Sequence, residues 1–125
     1  MNFEKFYVSN KNGKSNCVVR SLCKVLDKQY DDVYNDLINV SKELKCSSFN
    51  DIEVFEKYME NNDIFKINCE NITRVKDFNL DKGTFIVFCY DKKDFYHMVP
   101  IINNVIYDKN KDCLDLYILS VYKKK

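Results

Sequence analysis

Apolar positions recur at helical spacing in the first half of the chain, and in short continuous or alternating runs in the second. From about Asn16 to Leu26, the residues Val18, Val19, Leu22, Val25 and Leu26 trace one stripe, which predicts a helix with one face on a core. Ser15 or Asn16 supplies its N-cap, and Cys17 and Arg20 fall off the centre of the stripe. A second helix is predicted from Asp31 or Asp32 to Leu44. Val33, Tyr34, Leu37, Ile38, Ser41 and Leu44 face inward, and the aspartates sit at the positive end of the helix dipole. A third runs from about Asn50 to Asn61 with Ile52, Phe55, Tyr58 and Met59 inward. The period then changes. Ile64 to Ile67 reads as a short strand, and Thr84 to Tyr90 as a strand buried on both faces. Phe95 to Ile102 and Val105 to Asp108 flank Asn103-Asn104, a two-residue hairpin turn. Leu114 to Tyr122 is the last strand. Residues 3–8 suit a short strand or an anchored arm. Residues 72–78 suit a strand end or a helical turn with Val75 and Phe78 packed, and Asp81-Lys82-Gly83 reads as a turn. Helices followed by a mostly antiparallel sheet make the class α+β. No repeat or shift in composition divides residues 1–125, so one domain is expected.

Composition changes this picture little. With 46% hydrophobic and 31% charged residues, the balance is that of a soluble globular domain. A net charge of +1 argues against nucleic acid or an anionic membrane as partner, and Lys123-Lys124-Lys125 reads as a solvated terminus. No stretch has the apolar length of a signal peptide or of a membrane span, so a cytoplasmic location is expected. The six cysteines, at 17, 23, 46, 69, 89 and 113, then read as reduced thiols. They are irregularly spaced, form no Cys-x-x-Cys pair and are accompanied by one histidine, so neither a metal nor a cofactor is expected. Cys23 is expected in the core, Cys69 and Cys89 in or beside strands, and Cys113 exposed near the last turn. The Phe95-Tyr96 pair is expected to be core.

Cys17 changes the picture more. It stands in the first turn of a helix, where unpaired N–H groups and the dipole favour an anion and so lower a thiol pKa. His97, the only histidine, lies in the hairpin. If Asn103-Asn104 is the loop, Ile102 pairs with Val105, Val99 faces Asp108 and His97 faces Asn110. Positions 97, 99, 108 and 110 then share one face. His97 has Asn110 opposite and Asp108 on the diagonal, either of which can orient the imidazole of a general base. Cys17, His97 and one of these acceptors complete the parts of a cysteine nucleophile site. The competing reading makes Cys17 a small buried hydrophobe and His97 a satisfied core residue.

Two segments carry a resemblance. Asn16-Cys17-Val18-Val19-Arg20-Ser21-Leu22, followed by Tyr30-Asp31-Asp32-Val33-Tyr34-Asn35-Asp36-Leu37, resembles small papain-like cysteine peptidase-like proteins of phages and bacteria. These carry an Asn/Asp-Cys-x-x-Arg-Ala-Leu helix and then a Tyr-x-x-Val-x-x-x-Leu helix. Tyr96-His97-Met98-Val99-Pro100-Ile101-Ile102 with Val105-Ile106-Tyr107-Asp108 resembles their second signature, His-x-Val-x-Ile, a turn, then Val-Ile-Tyr-Asp. The resemblance implies a papain-like fold with Cys17 as nucleophile, His97 as base and Asp108 as orienting acid. Asn110 is the runner-up, because papain itself uses Asn. Ser21 stands where the relatives have Ala. Arg20 matches the helix motif and is expected to pair with a nearby carboxylate and brace the helix. Papain-like enzymes also place a Gln several residues before the nucleophile to bind the oxyanion. This chain offers Asn10, Asn12 and Asn16 there instead. The implied function is a cytoplasmic cysteine hydrolase that cleaves a peptide, isopeptide or other amide bond in a protein or peptide substrate through a thioacyl intermediate. The alternatives are a catalytically inactive papain-like binding or virion-structural module, and an acyltransferase on the same three residues.

Overall fold

Asn16 caps the first helix. Its side-chain oxygen accepts from the N–H groups of Val18 at 2.8 Å and Val19 at 3.4 Å, satisfying two of the donors that a helix start leaves open. In a computed structural model, which describes residues 1–69, 72–80 and 82–125, this helix is α1, Cys17–Leu26. It is followed by α2, Tyr30–Leu44, and α3, Ile52–Asn61. The strands are β1 (Asn2–Lys5), β2 (Ile64–Ile67), β3 (Thr84–Tyr90), β4 (Tyr96–Ile102), β5 (Val105–Asp108) and β6 (Tyr117–Lys124). They form one sheet in the order β1-β5-β4-β3-β6-β2. Every pairing is antiparallel except that of β1 with β5. The class is therefore α+β, with the helices preceding a mostly antiparallel sheet. The Asp81-Lys82-Gly83 turn begins outside the described residues.

The helices cover one face of the sheet. Val19, Leu22, Val33, Leu37, Phe55 and Met59 pack there against Ile86, Met98 and Tyr122. On the other face Val87, Val99, Ile101 and Ile106 pack beneath two 3-10 turns, Val75–Asp77 and Lys111–Asp115. β3 contributes to both layers, as its unbroken apolar run requires. Truncating a fully enclosed residue such as Leu22 to alanine costs about 2–5 kcal/mol in such cores.

Several local expectations shift. In α3 the buried positions are Val54, Phe55, Tyr58 and Met59, while Ile52 is 53% exposed. The stripe starts two residues later than expected because Ile52 occupies the first turn, beyond the edge of the packed layer. In α2, Tyr30, Val33, Leu37, Val40 and Ser41 carry the inner face, and Tyr34 turns outward to meet the Phe49 ring edge-on at 5.0 Å. Within residues 72–78, Val75–Asp77 form the first 3-10 turn, with Val75 and the following Phe78 buried. Leu114 lies in the second turn, so β6 begins at Tyr117 and ends at Lys124. Lys123 and Lys124 are thus not a free tail. They pair with Phe65 and Ile64 of β2, and the Lys124 ammonium reaches the Val25 carbonyl at 3.3 Å, near the negative end of α1.

Candidate active site

The start of α1 meets the sheet at an interruption. β4 and β5 pair at Ile101 with Ile106 and at Ile102 with Val105, the register expected from a two-residue turn. Asn103 and Asn104 both adopt the left-handed conformation that such a turn needs, with φ of 49° and 65°. β5 then ends at Asp108, before it can cover the first half of β4. Alternate residues of a strand direct both backbone groups to the same side, so those of Met98 point into the space that β5 leaves. α1 fills it. The Met98 carbonyl accepts from Ser21 Oγ at 3.0 Å, and the Met98 N–H faces the Cys17 thiol. Cys17 and Ser21 are one helical turn apart and use the same strand residue. The Asn16 N–H also donates to the Tyr30 hydroxyl at 2.9 Å, which fixes the helix start against α2.

His97 and Asp108 close on Cys17 from the hairpin. His97 Nε2 lies 2.7 Å from Asp108 Oδ2, leaving Nδ1 for the thiol, with which the imidazole hydrogen-bonds. The diagonal partner, Asp108, therefore takes the histidine. Asn110 is exposed at the start of the second 3-10 turn, where its carbonyl accepts from the Cys113 thiol at 3.5 Å. The other Asp108 oxygen, Oδ1, accepts from the Lys109 N–H at 2.8 Å and from Arg20 Nη2 at 3.1 Å. Arg20 and Asp108 are each 3% exposed.

These contacts set the charges. Burial alone would raise the Cys17 thiol. The hydrogen bond to His97, the imidazolium charge, the Met98 N–H and the Arg20 charge together outweigh it and hold the thiol below its ordinary value. Burial would likewise lower His97, but the bonds to Asp108 and Cys17 and their negative charges raise it to about 9. Asp108 is held below the usual carboxylate range: burial opposes this, while His97, the Lys109 N–H and Arg20 overcome it. The contacts thus shift Cys17 and His97 together toward a thiolate–imidazolium pair with an ionised aspartate behind it, the form a thiol nucleophile requires.

The asparagines sit on the other side of Cys17. Asn10 Oδ1 accepts from the N–H groups of Asn12 at 2.9 Å and Lys14 at 3.0 Å and folds the loop, while Asn12 is exposed. With Asn16 they line a hollow of about 430 Å³ that also touches Tyr30, Tyr34 and Phe49. In Asn10 and Asn16 the carbonyl end is engaged, and the amide end is what remains to donate. The Cys17 N–H has no acceptor among the described residues. A second hollow, of about 200 Å³, opens beside His97 and Asp108 and is lined by Phe95, Asn110 and Leu116 among others.

Phe95 and Tyr96 are not core, at 51% and 53% exposed. Phe95 stacks on the His97 ring at 5.7 Å, and Tyr96 stacks on Phe88 and Tyr90, each at 5.9 Å. They stand at the open end of β4, where neither α1 nor β5 covers the sheet. Cys113 is buried rather than exposed, because the second 3-10 turn folds its thiol inward toward Asp108. All six cysteines are free.

The carboxylate expected for Arg20 is Asp108, a residue the helix motif does not point to. A signal was present: positions 16, 17, 23 and 24 are Asn, Cys, Cys and Lys, so no acid lies one turn away on α1 and the partner had to come from elsewhere. Nothing in the sequence marked Met98, which acts through its backbone. Among the described residues, no group of three or more His, Cys, Asp or Glu is placed to hold a metal ion, and no helix is long and apolar enough to cross a membrane. Comparison with protein-family models, curated proteins and solved structures found no match for this chain.

Proposed function

We propose that the chain is a cysteine hydrolase that cleaves an amide bond, peptide or isopeptide, in a protein or peptide substrate. The observation that carries this reading is the chain of contacts from the half-buried Cys17 through His97 to the buried Asp108, in which the thiol is lowered and the imidazole raised. Mutual burial would shift both groups the other way. The Cys17 thiolate attacks the substrate carbonyl carbon. The developing oxyanion is met by the open Cys17 N–H, with the amide end of Asn16 or Asn10, or Asn12, as second donor. The C–N bond breaks as His97 transfers its proton to the leaving amine, and a thioester forms on Cys17. His97, now neutral, takes a proton from water, whose oxygen attacks the thioester. The carboxylic acid departs and the thiolate–imidazolium pair is restored. Asp108 orients His97 and offsets its charge throughout.

Iodoacetamide at pH 6 tests the reading, with labelling of each cysteine followed by mass spectrometry. Cys17 is expected to alkylate far faster than Cys46 and Cys69, and to lose that advantage in His97→Ala. If Cys17 reacts no faster than those two thiols, the hydrolase reading fails and a binding module on the same fold is favoured. An added amine that appears in the product would assign acyl transfer instead of hydrolysis.

A further inference from the structure

Arg20 does more than brace a helix. Its Nη2 holds Asp108 Oδ1 at 3.1 Å and its Nη1 donates to Ser15 Oγ at 2.8 Å. Ser15 in turn donates to the Val8 carbonyl at 2.6 Å. Ser15 precedes the cap of α1, so the loop that sets the nucleophile and the acid that orients its base are joined through one planar fork. We propose that Arg20 is a positioning residue for the Cys17–His97–Asp108 site, clamping Asp108 and the Ser15 loop to each other so that both ends of the relay are held by one side chain. The proposal rests on the hydrolase reading and adds a fourth member to it.

Three observations support it. First, an arginine that is 3% exposed needs acceptors to offset its desolvation, and the two it has are Asp108 of the site and Ser15 of the loop that leads into α1. Second, Asp108 divides its oxygens. Oδ2 serves His97, whereas Oδ1 is held by Arg20 and the Lys109 N–H. Without Arg20, one backbone N–H is left to stop the carboxylate rotating away from the imidazole. Third, the directions of the two N–H bonds matter. A fork reaches two acceptors at fixed angles, which an ammonium on a flexible stem does not reproduce. The groups facing Asp108 are His97 from β4, Arg20 from α1, Cys113 from the second 3-10 turn and, further off, Cys89 from β3. Arg20 is the one permanent cation among them. Its charge also favours the Cys17 thiolate.

The test is the pH profile of iodoacetamide alkylation at Cys17 between pH 5 and 9, beside thermal unfolding, in the full chain. In Arg20→Gln the low-pH limb is expected to move upward, with a fall of about tenfold in the pH 6 rate. Arg20→Lys, which keeps the charge, is expected to restore the limb but not the rate. Ser15→Ala, which removes one arm of the fork, is expected to leave the limb in place and slow the reaction several-fold. A folded Arg20→Gln with the wild-type profile, even at lower melting temperature, reduces Arg20 to a helix brace and overturns the proposal. If Arg20→Gln does not fold, wild-type rates in both Arg20→Lys and Ser15→Ala overturn it equally. Failure of the hydrolase reading is seen separately, in an unreactive Cys17 in the wild-type protein.

Discussion

Two cysteines on α1 lie six residues apart and have opposite chemistry. Cys23 is buried among apolar residues, which pushes its thiol up to about 11, with Asp32 adding to the rise. Cys17 is also largely enclosed, and burial acts on it in the same direction, yet its thiol is lowered. Neither burial nor membership of a helix separates them. Cys17 has an imidazole and a strand N–H against its sulfur from β4 and the charge of Arg20 from its own helix, whereas the charged group acting on Cys23 is the Asp32 carboxylate. What faces the sulfur, and not its depth, decides the direction in which each thiol is shifted.

Removing the imidazole breaks the contrast most sharply. In His97→Ala, alkylation of Cys17 at pH 6 should fall about a hundredfold, toward that of an ordinary or buried thiol, with Cys23 unchanged. Asp108→Asn should act next most strongly. With the carboxylate gone, the His97 pKa, followed by NMR, should drop from about 9 toward 6.5, and the pH 6 rate at Cys17 should fall about tenfold; an unmoved His97 titration would remove Asp108 from the site.

The same groups give a pH dependence of stability. His97 is raised when folded, so its contribution is fully present below about 6.5 and is lost as pH rises through about 9. Asp108 is lowered, so its contribution is present above its ordinary value near 3.8 and is lost as pH falls below that. The stabilisation that His97 and Asp108 give is therefore greatest between these limits, which a comparison of wild-type and Asp108→Asn melting temperatures across pH reads. In Asp108→Asn, the loss on the alkaline side should flatten. Asn16→Ala, which removes the cap, should cost about 1 kcal/mol in urea unfolding and slow Cys17 by less than the triad changes. The smallest effect belongs to the pair of Lys28 and Asp36, 3.2 Å apart with both side chains about two-fifths exposed. Lys28→Ala should cost under about 0.5 kcal/mol and leave Cys17 untouched.

Much of this was legible in the sequence. The helices, the strand Thr84–Tyr90 and the hairpin came from local periodicity and turn chemistry, because each is decided by residues close together in the chain. The meeting of His97 with Asp108 was legible for the same reason: the turn fixes the register, and the register fixes the diagonal. What escaped was decided at long range. The parallel pairing of β1 with β5 joins Asn2 to Val105 and Lys5 to Asp108, far apart in the chain, and no local pattern announces it. Cys113 looked exposed because it lies among polar residues, and only the 3-10 turn carries it inward. Phe95 and Tyr96 looked like core because they are large and apolar, but β5 stops short of them. The partner of Arg20 lies 88 positions away.

The turn that sets this register is itself fastened. Asn103 donates its backbone N–H to the Gly83 carbonyl at 2.8 Å and accepts the Gly83 N–H on its side-chain oxygen at 3.1 Å. Strand side chains alternate between faces, so a slip of one residue in the hairpin would aim Asp108 away from His97 while leaving the strands able to pair. The geometry of the candidate site is thus a matter of counting, and Asn103 keeps the count from the turn, away from Cys17, His97 and Asp108. Changes at Asn103 or Gly83 would form a distinct kind of lesion, in which a well-packed protein carries every member of its relay and has them out of step.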